Sequence, residues 1–89
     1  MNHAEKILDN LDSNQRPTLY AQVASGIESF QSDDTYYATL AHLWAVARNY
    51  EKELHYSQLT GAQAVEANAP HEALPYLQRA LELVTQLPD

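Results

Sequence analysis

Apolar residues spaced three and four positions apart recur along most of this 89-residue chain, and this spacing constrains its fold more than any other feature. In the last segment the steps are four, three, four and three, which places all five residues on one face of an α-helix: Ala73, Leu77, Ala80, Val84 and Leu87. No window combines strand-like alternation with flanking hairpin turns. The sequence therefore predicts an all-α fold.

Polar links divide the chain into five helical segments, and each link offers side-chain oxygens that can cap the next helix. The second segment carries an apolar stripe of Leu19, Val23, Ile27 and Phe30. Asp33 and its neighbours can cap the third segment, and Asn49 can end the third and cap the fourth. The predicted segments are 3–11, 15–30, 35–49, 51–68 and 70–87.

Two segments contain residues that are unusual inside helices. The inner face of the fourth segment is almost without bulk, with Ser57, Gly61, Ala64 and Asn68 at helical spacing. Glycine inside a helix costs about 1 kcal/mol relative to alanine, so we expect a neighbouring backbone to approach closely there. In the fifth segment Pro75 lacks an N–H group, which predicts a loosened first turn.

Composition excludes several classes of partner. Twelve acidic residues oppose five scattered basic ones, giving a net charge of −7, so binding to nucleic acid or to an anionic membrane is not expected. No segment approaches the roughly 20 apolar residues of a membrane span, and the N-terminus has no signal-peptide core. Cysteine is absent. We expect a cytoplasmic protein with no membrane association.

The polar residues do not form a recognisable catalytic or metal-binding set. The four histidines lack metal-ligand spacing, and His42 is interpreted as a surface or interhelical side chain. Neighbouring acidic residues at 33–34, and Glu51 with Glu53, are interpreted as solvated caps, since adjacent helical residues do not face each other. The sequence predicts no catalytic, cofactor-binding or metal-binding residue and no cofactor, so we expect no enzyme.

A shift of 20 residues aligns Leu54 with Leu74, Tyr56 with Tyr76 and Gln58 with Gln78. This pattern resembles the tetratricopeptide repeat (TPR), in which a small residue on one helix faces small residues on the next. Glu53 stands where alanine is usual in that repeat, Thr60 replaces a second alanine, and the offset is 20 rather than 34 residues. The resemblance implies a degenerate array with these repeat-packing residues: Tyr37, Leu40, Ala41, Trp44, Leu54, Gly61, Ala73, Leu77 and Ala80.

The stretches LAHLW, TGAQA and HEALPYLQRALEL are similar to the helical region that follows the ATPase core in large bacterial signalling ATPases, including those linked to cyclase or DNA-binding domains. This resemblance implies a TPR-like α-α superhelix, a right-handed array of four to five antiparallel helices. It also implies one domain over 1–89, with a helix pair at 1–31 and three repeat-like helices at 35–87, as a fragment of a longer protein. No GxxxxGKS/T motif is present, so the resemblance does not imply that this chain binds ATP.

The expected function is a non-catalytic interaction module that contacts a protein partner or flanking domains of its own polypeptide. One alternative is a free-standing adaptor that forms a homodimer and binds a partner helix, and a remote alternative is a small helical enzyme. The last helix would expose an apolar face, which predicts self-association or a nearby flanking helix. The candidate interaction residues are Tyr20, Tyr36, Tyr50, Leu81, Val84 and Leu87.

Overall fold

The computed structural model describes residues 15–30 and 33–87, and every regular element in this part of the chain is helical. Its α-helices are α1 (Gln15–Phe30), α2 (Tyr37–Val46), α3 (Tyr50–Glu66) and α4 (Pro70–Gln86), with a short 3-10 helix (Asp34–Tyr36) before α2. The all-α class is confirmed. The helix predicted over residues 3–11 lies outside the described residues.

Two predicted caps are confirmed. The backbone N–H of Thr35 donates to the carboxylate of Asp33 (3.1 Å), which begins the 3-10 helix. The backbone N–H of Lys52 donates to the side chain of Asn49 (3.2 Å), which begins α3. Each side chain satisfies a backbone N–H that has no partner within its own helix.

Helix α3 is the centre of the described structure, because both α2 and α4 pack against it while α1 packs against α2. The links between α2 and α3 and between α3 and α4 are short, so consecutive helices form hairpins. Helix α3 therefore has one neighbour on each of two sides.

The two links have the same backbone geometry and lie 20 residues apart. Arg48 (φ 62°) and Asn68 (φ 58°) both adopt the left-handed conformation. In each link, the next residue donates its N–H to a carbonyl five positions earlier, that of Trp44 (3.0 Å) or that of Ala64 (2.8 Å). This is the hydrogen bond of a Schellman motif. Asn68, predicted on the inner face of the fourth helix, lies in the link instead.

The core formed by α1 and α2 differs from the predicted stripe on α1. Ala24, Leu40 and Trp44 are its buried residues, whereas Val23 is 47% and Phe30 is 89% exposed. The predicted stripe is therefore buried only in part, since Ile27 packs against this core while Val23 and Phe30 are exposed. Helix α1 turns its alanine toward the bulky Trp44, since a small residue leaves room for the indole.

The close approach predicted at Gly61 is found, but a side chain makes it. A Cβ atom at this position would lie 2.5 Å from Cδ2 of Leu77, whereas the nearest backbone atom, the carbonyl oxygen of Ala73, would be 3.8 Å away. The backbone of α4 thus reaches ordinary contact distance, as predicted, but the tightest contact is made by the Leu77 side chain. The absent side chain leaves room for Leu77, which is how α4 fits against α3 here.

Pro75 does not loosen the start of α4. The helix begins at Pro70, a favourable first-turn position, and continues through Pro75 to Gln86. The prediction of a loosened turn is wrong because Pro75 removes only one donor, the one that would serve the carbonyl of His71. Both residues are exposed, so water can reach that first turn.

Candidate protein-interaction site

An open groove lies between α2 and α4, with α3 as its floor. Its larger part has a volume of about 660 Å³ and its smaller part about 290 Å³. The two parts adjoin, since both are lined by Ala38, Pro75 and Tyr76. The groove is therefore one continuous depression rather than two separate pockets.

Small residues explain why residues 15–30 and 33–87 leave this space open. Helix α2 contributes Ala38, Ala41 and Ala45, which succeed one another along one face. Helix α3 contributes Ala64 and Ala67. Because methyl side chains reach only a short distance, the helices can contact through α3 while the space between α2 and α4 stays open.

An ion pair between a buried carboxylate and a partly exposed guanidinium lines the smaller part of the groove. Glu53 is only 4% exposed, and Arg79 donates to both of its carboxylate oxygens at 2.7 and 3.1 Å. The hydrogen bond to Glu53 is the main reason that the pKa of Arg79 is raised. A bidentate contact of this kind also fixes the relative position of α3 and α4.

The larger part of the groove is acidic at its rim. Glu72 lines it and forms no ion pair with any residue in 15–30 or 33–87. Gln63 also lines it, but its side-chain amide already donates to the backbone carbonyl of Asp34 (2.9 Å). The groove thus combines an alanine-rich floor with an uncompensated carboxylate.

A second cluster holds α1, α2 and α3 together away from the groove. The Glu28 carboxylate accepts hydrogen bonds from the Tyr56 hydroxyl (2.6 Å), the Lys52 ammonium (3.0 Å) and the Trp44 indole (3.3 Å). The Lys52 nitrogen also lies 4.4 Å from the centre of the Trp44 ring, in cation–π geometry. One carboxylate therefore joins three helices.

The pKa values of this cluster reflect that sharing. Burial alone would raise the pKa of Glu28, but the hydrogen bonds from Tyr56 and Lys52, the charge of Lys52 and the bond from Trp44 outweigh it and lower the pKa. Burial, followed by the hydrogen bond to Glu28, raises the pKa of Tyr56 to about 12. The cluster therefore holds an ionised carboxylate and a neutral phenol.

The outer face of α4 carries an exposed apolar stripe. Leu74, Leu77, Leu81 and Val84 are between 42% and 68% exposed, and they lie beside the buried face of the same helix, which is formed by Ala73, Ala80 and Leu83. We call these four residues the α4 stripe. Helix α4 thus has one wide apolar face, and only part of that face is covered by the described residues.

The predicted repeat-packing residues all lie in α2, α3 and α4. Tyr37 and Leu54 are half-buried, and Leu77 is 42% exposed although it lies over Gly61. The remaining members are buried: Leu40, Ala41, Trp44, Gly61, Ala73 and Ala80.

The candidate interaction residues do not form one surface. Tyr50, Leu81 and Val84 are exposed, whereas Leu87 is half-buried. Tyr20 and Tyr36 are also half-buried rather than exposed, because the first contacts the ring of His42 (6.4 Å between centroids) and the second packs against the Trp44 core. Only Leu81 and Val84 belong to a common patch, the α4 stripe.

Sequence reasoning missed two carboxylates that organise the structure. The interpretation of Glu53 as a solvated cap is wrong, since it is buried against Arg79. One sequence feature could have indicated its burial: in the TPR pattern that the chain resembles, this position is usually alanine. Glu28 was not singled out, because it lies outside the predicted apolar stripe of its helix.

The chain has no match among known protein families, curated proteins or solved structures. Within residues 15–30 and 33–87, no three histidine, aspartate or glutamate side chains are grouped in a way that could hold a metal ion. No helix in the same part of the chain is long and apolar enough to cross a membrane.

Proposed function

We propose that this chain is a non-catalytic interaction module whose groove between α2 and α4 holds a segment of a partner protein or of a flanking domain. The observation that carries the proposal is the open, alanine-floored groove, about 660 Å³ in its larger part. A concave, mostly apolar surface with a few placed polar groups is typical of a binding site.

The walls of the groove are held by polar contacts that favour a preformed site. The Glu53–Arg79 pair joins α3 to α4, and the Glu28 cluster joins α3 to α1 and α2. A ligand that enters a preformed groove does not have to order its walls, which leaves more of the contact energy for binding. This supports a scaffold role for the helix array.

The chemistry of the groove favours an apolar segment that carries lysine or arginine. Its floor offers alanine methyl groups, while Glu72 offers a carboxylate without an ion-pair partner among the described residues. The net charge of −7 also attracts basic ligands over a longer range. We therefore expect binding to weaken as the salt concentration rises.

Selection of peptides from a displayed random library tests this proposal. Peptides that bind the unmodified chain should be apolar and basic, and they should lose binding to Ala38→Trp, because Ala38 lines both parts of the groove and an indole there would obstruct the place where they meet. Ala62→Trp is the matched control, since Ala62 is equally an exposed helical alanine but does not line the groove. Glu72→Lys should weaken the same peptides by roughly 3–10-fold.

Two outcomes would count against the groove. The first is a selection that yields no binding peptide. The second is a set of peptides that bind the Ala38→Trp and Ala62→Trp variants equally well. Circular dichroism of both variants would confirm that the substituted chains are helical before binding is compared.

The proposal extends to a TPR-like superhelix that works in the cytoplasm within a larger signalling ATPase-type polypeptide. The equal geometry of the links at Arg48 and Asn68 supports the repeat interpretation. An antibody against the chain tests the larger context, because a native band far above 10.0 kDa would support a module of a multidomain protein. A native band at 10.0 kDa would instead support a free-standing adaptor.

A further inference from the structure

The α4 stripe points to a second surface that the groove does not explain. Its four members, Leu74, Leu77, Leu81 and Val84, lie on the side of α4 away from the groove, with Leu77 also packed over Gly61 of α3, whereas the α4 residues that line the groove are Glu72, Pro75, Tyr76 and Arg79. On a helix of 3.6 residues per turn, these two sets fall on different sides. A partner on the stripe would leave the groove open.

The spacing of the stripe allows it to pair with itself. Its steps of three, four and three are those of a coiled-coil seam, and they read the same in both directions. Two antiparallel copies related by a two-fold axis would place Leu74 opposite Val84 of the other copy and Leu77 opposite Leu81. Such a contact uses the same patch on both copies, as symmetric dimers do.

The charges around the stripe permit this approach between two acidic chains. Gln78 and Thr85, which border the stripe on its solvent side, are uncharged. In a parallel pair Glu82 would lie beside Glu82 of the other copy. An antiparallel pair separates these two carboxylates along the helix axis. The helix dipoles also favour the antiparallel arrangement.

We propose that a second copy of this chain covers the α4 stripe, forming an antiparallel pair of α4 helices. Stable protein interfaces bury about 800 Å² on each partner, and one helix face supplies less than this. The dimer is therefore weak. Salt strengthens it, because screening reduces the repulsion between two chains of net charge −7. A basic partner would show the opposite salt dependence.

Analytical ultracentrifugation of the 89-residue chain over micromolar to millimolar concentrations tests the proposal. The expected mass rises from 10.0 kDa toward twice that value with concentration. Leu81→Glu should weaken association at least about tenfold, and Leu81→Gln should weaken it without adding charge. Val23→Glu is the matched control, because Val23 is an exposed valine on α1 that is not part of the stripe.

Three results would overturn the proposal: a monomer at every concentration, a dimer that Leu81→Glu leaves intact, or equal loss of the dimer in Val23→Glu. A monomeric chain whose groove still binds peptides would reject the self-association alone, so the two proposals fail independently. The monomer result would leave the stripe to a flanking helix or another protein.

The direction of the pair has its own test, because the chain contains no cysteine. Leu77→Cys and Leu81→Cys variants would be mixed in equal amounts under mild oxidation. The antiparallel pair predicts mainly the mixed disulfide between the two variants. Efficient disulfide formation by each variant alone, with little mixed product, would overturn the antiparallel arrangement.

Discussion

Replacement of Glu28 by glutamine tests whether one carboxylate holds three helices together. The substitution keeps the shape and removes the charge that receives hydrogen bonds from Tyr56 (2.6 Å), Lys52 (3.0 Å) and Trp44 (3.3 Å). The glutamine oxygen can still accept one or two of these bonds, but as neutral bonds that are roughly half as strong.

The expected loss follows from the exposure of each contact. Lys52 is 45% exposed at its side chain, so its ion pair with Glu28 contributes at most about 0.5–1 kcal/mol. Conversion of the shorter Tyr56 bond from charged to neutral costs about 1 kcal/mol. The free energy of unfolding should fall by about 1.5–2 kcal/mol, which lowers the Tm of a domain of this size by roughly 6–16 °C.

Urea and thermal unfolding followed by circular dichroism would measure this loss. Fluorescence of Trp44 gives a second, local signal, because it is the chain's single tryptophan. Glu66→Gln is the control, since Glu66 is exposed and forms no described ion pair, and it should change stability by less than about 0.5 kcal/mol. A Glu28→Gln variant as stable as this control would refute the reasoning. A double-mutant cycle with Tyr56→Phe should recover a coupling of about 1 kcal/mol.

Three further predictions concern stability. Arg79→Met leaves the buried carboxylate of Glu53 without its partner and should cost about 2–4 kcal/mol in urea unfolding; a loss below about 1 kcal/mol would contradict the role of the pair. Burial, together with the hydrogen bond to Glu28, raises the pKa of Tyr56 from 10.0 to about 12, so its contribution to stability is complete below pH 10 and is lost between pH 10 and 12. Tyr56→Phe should therefore have a shallower alkaline fall in its urea midpoint than the unmodified chain, and equal slopes would exclude this contribution. Arg48→Gly relieves a left-handed conformation (φ 62°) and should raise stability by about 0.5–1 kcal/mol, whereas a decrease would show that the arginine side chain contributes more than the strain costs.

Local chemistry explains which features could be predicted from the sequence. The helices of the described residues follow from apolar spacing, and the caps at Asp33 and Asn49 act on backbone groups two or three residues away. The 20-residue shift that aligns Leu54 with Leu74 also coincides with the repeat of one link geometry. These interactions involve residues that are close together in the chain, so a short stretch of sequence is enough to predict them.

The features that were missed depend on partners distant in sequence. Glu53 meets Arg79 across 26 residues, and Glu28 meets Tyr56 across 28. Glu53 also lies in an acidic first turn, which is typical of a solvated helix start. On α1 the predicted stripe is buried only in part, because the small Ala24 packs against the bulky Trp44 of the facing helix and Val23 and Phe30 are left exposed. The groove likewise depends on three helices at once.

The same 20-residue shift offers a physical account of why α3 can serve two neighbours. It aligns Tyr37, Leu40, Ala41 and Trp44 of α2 with Ser57, Thr60, Gly61 and Ala64 of α3, so that each residue is matched by a smaller one. In α2 these residues pack toward the core, and Trp44 reaches Glu28 of α1. In α3 the matched positions are buried but short, which lets Leu77 of α4 lie over the glycine and leaves part of the groove floor open beside the alanine. The groove therefore depends on a difference in side-chain volume between two segments that share one turn geometry.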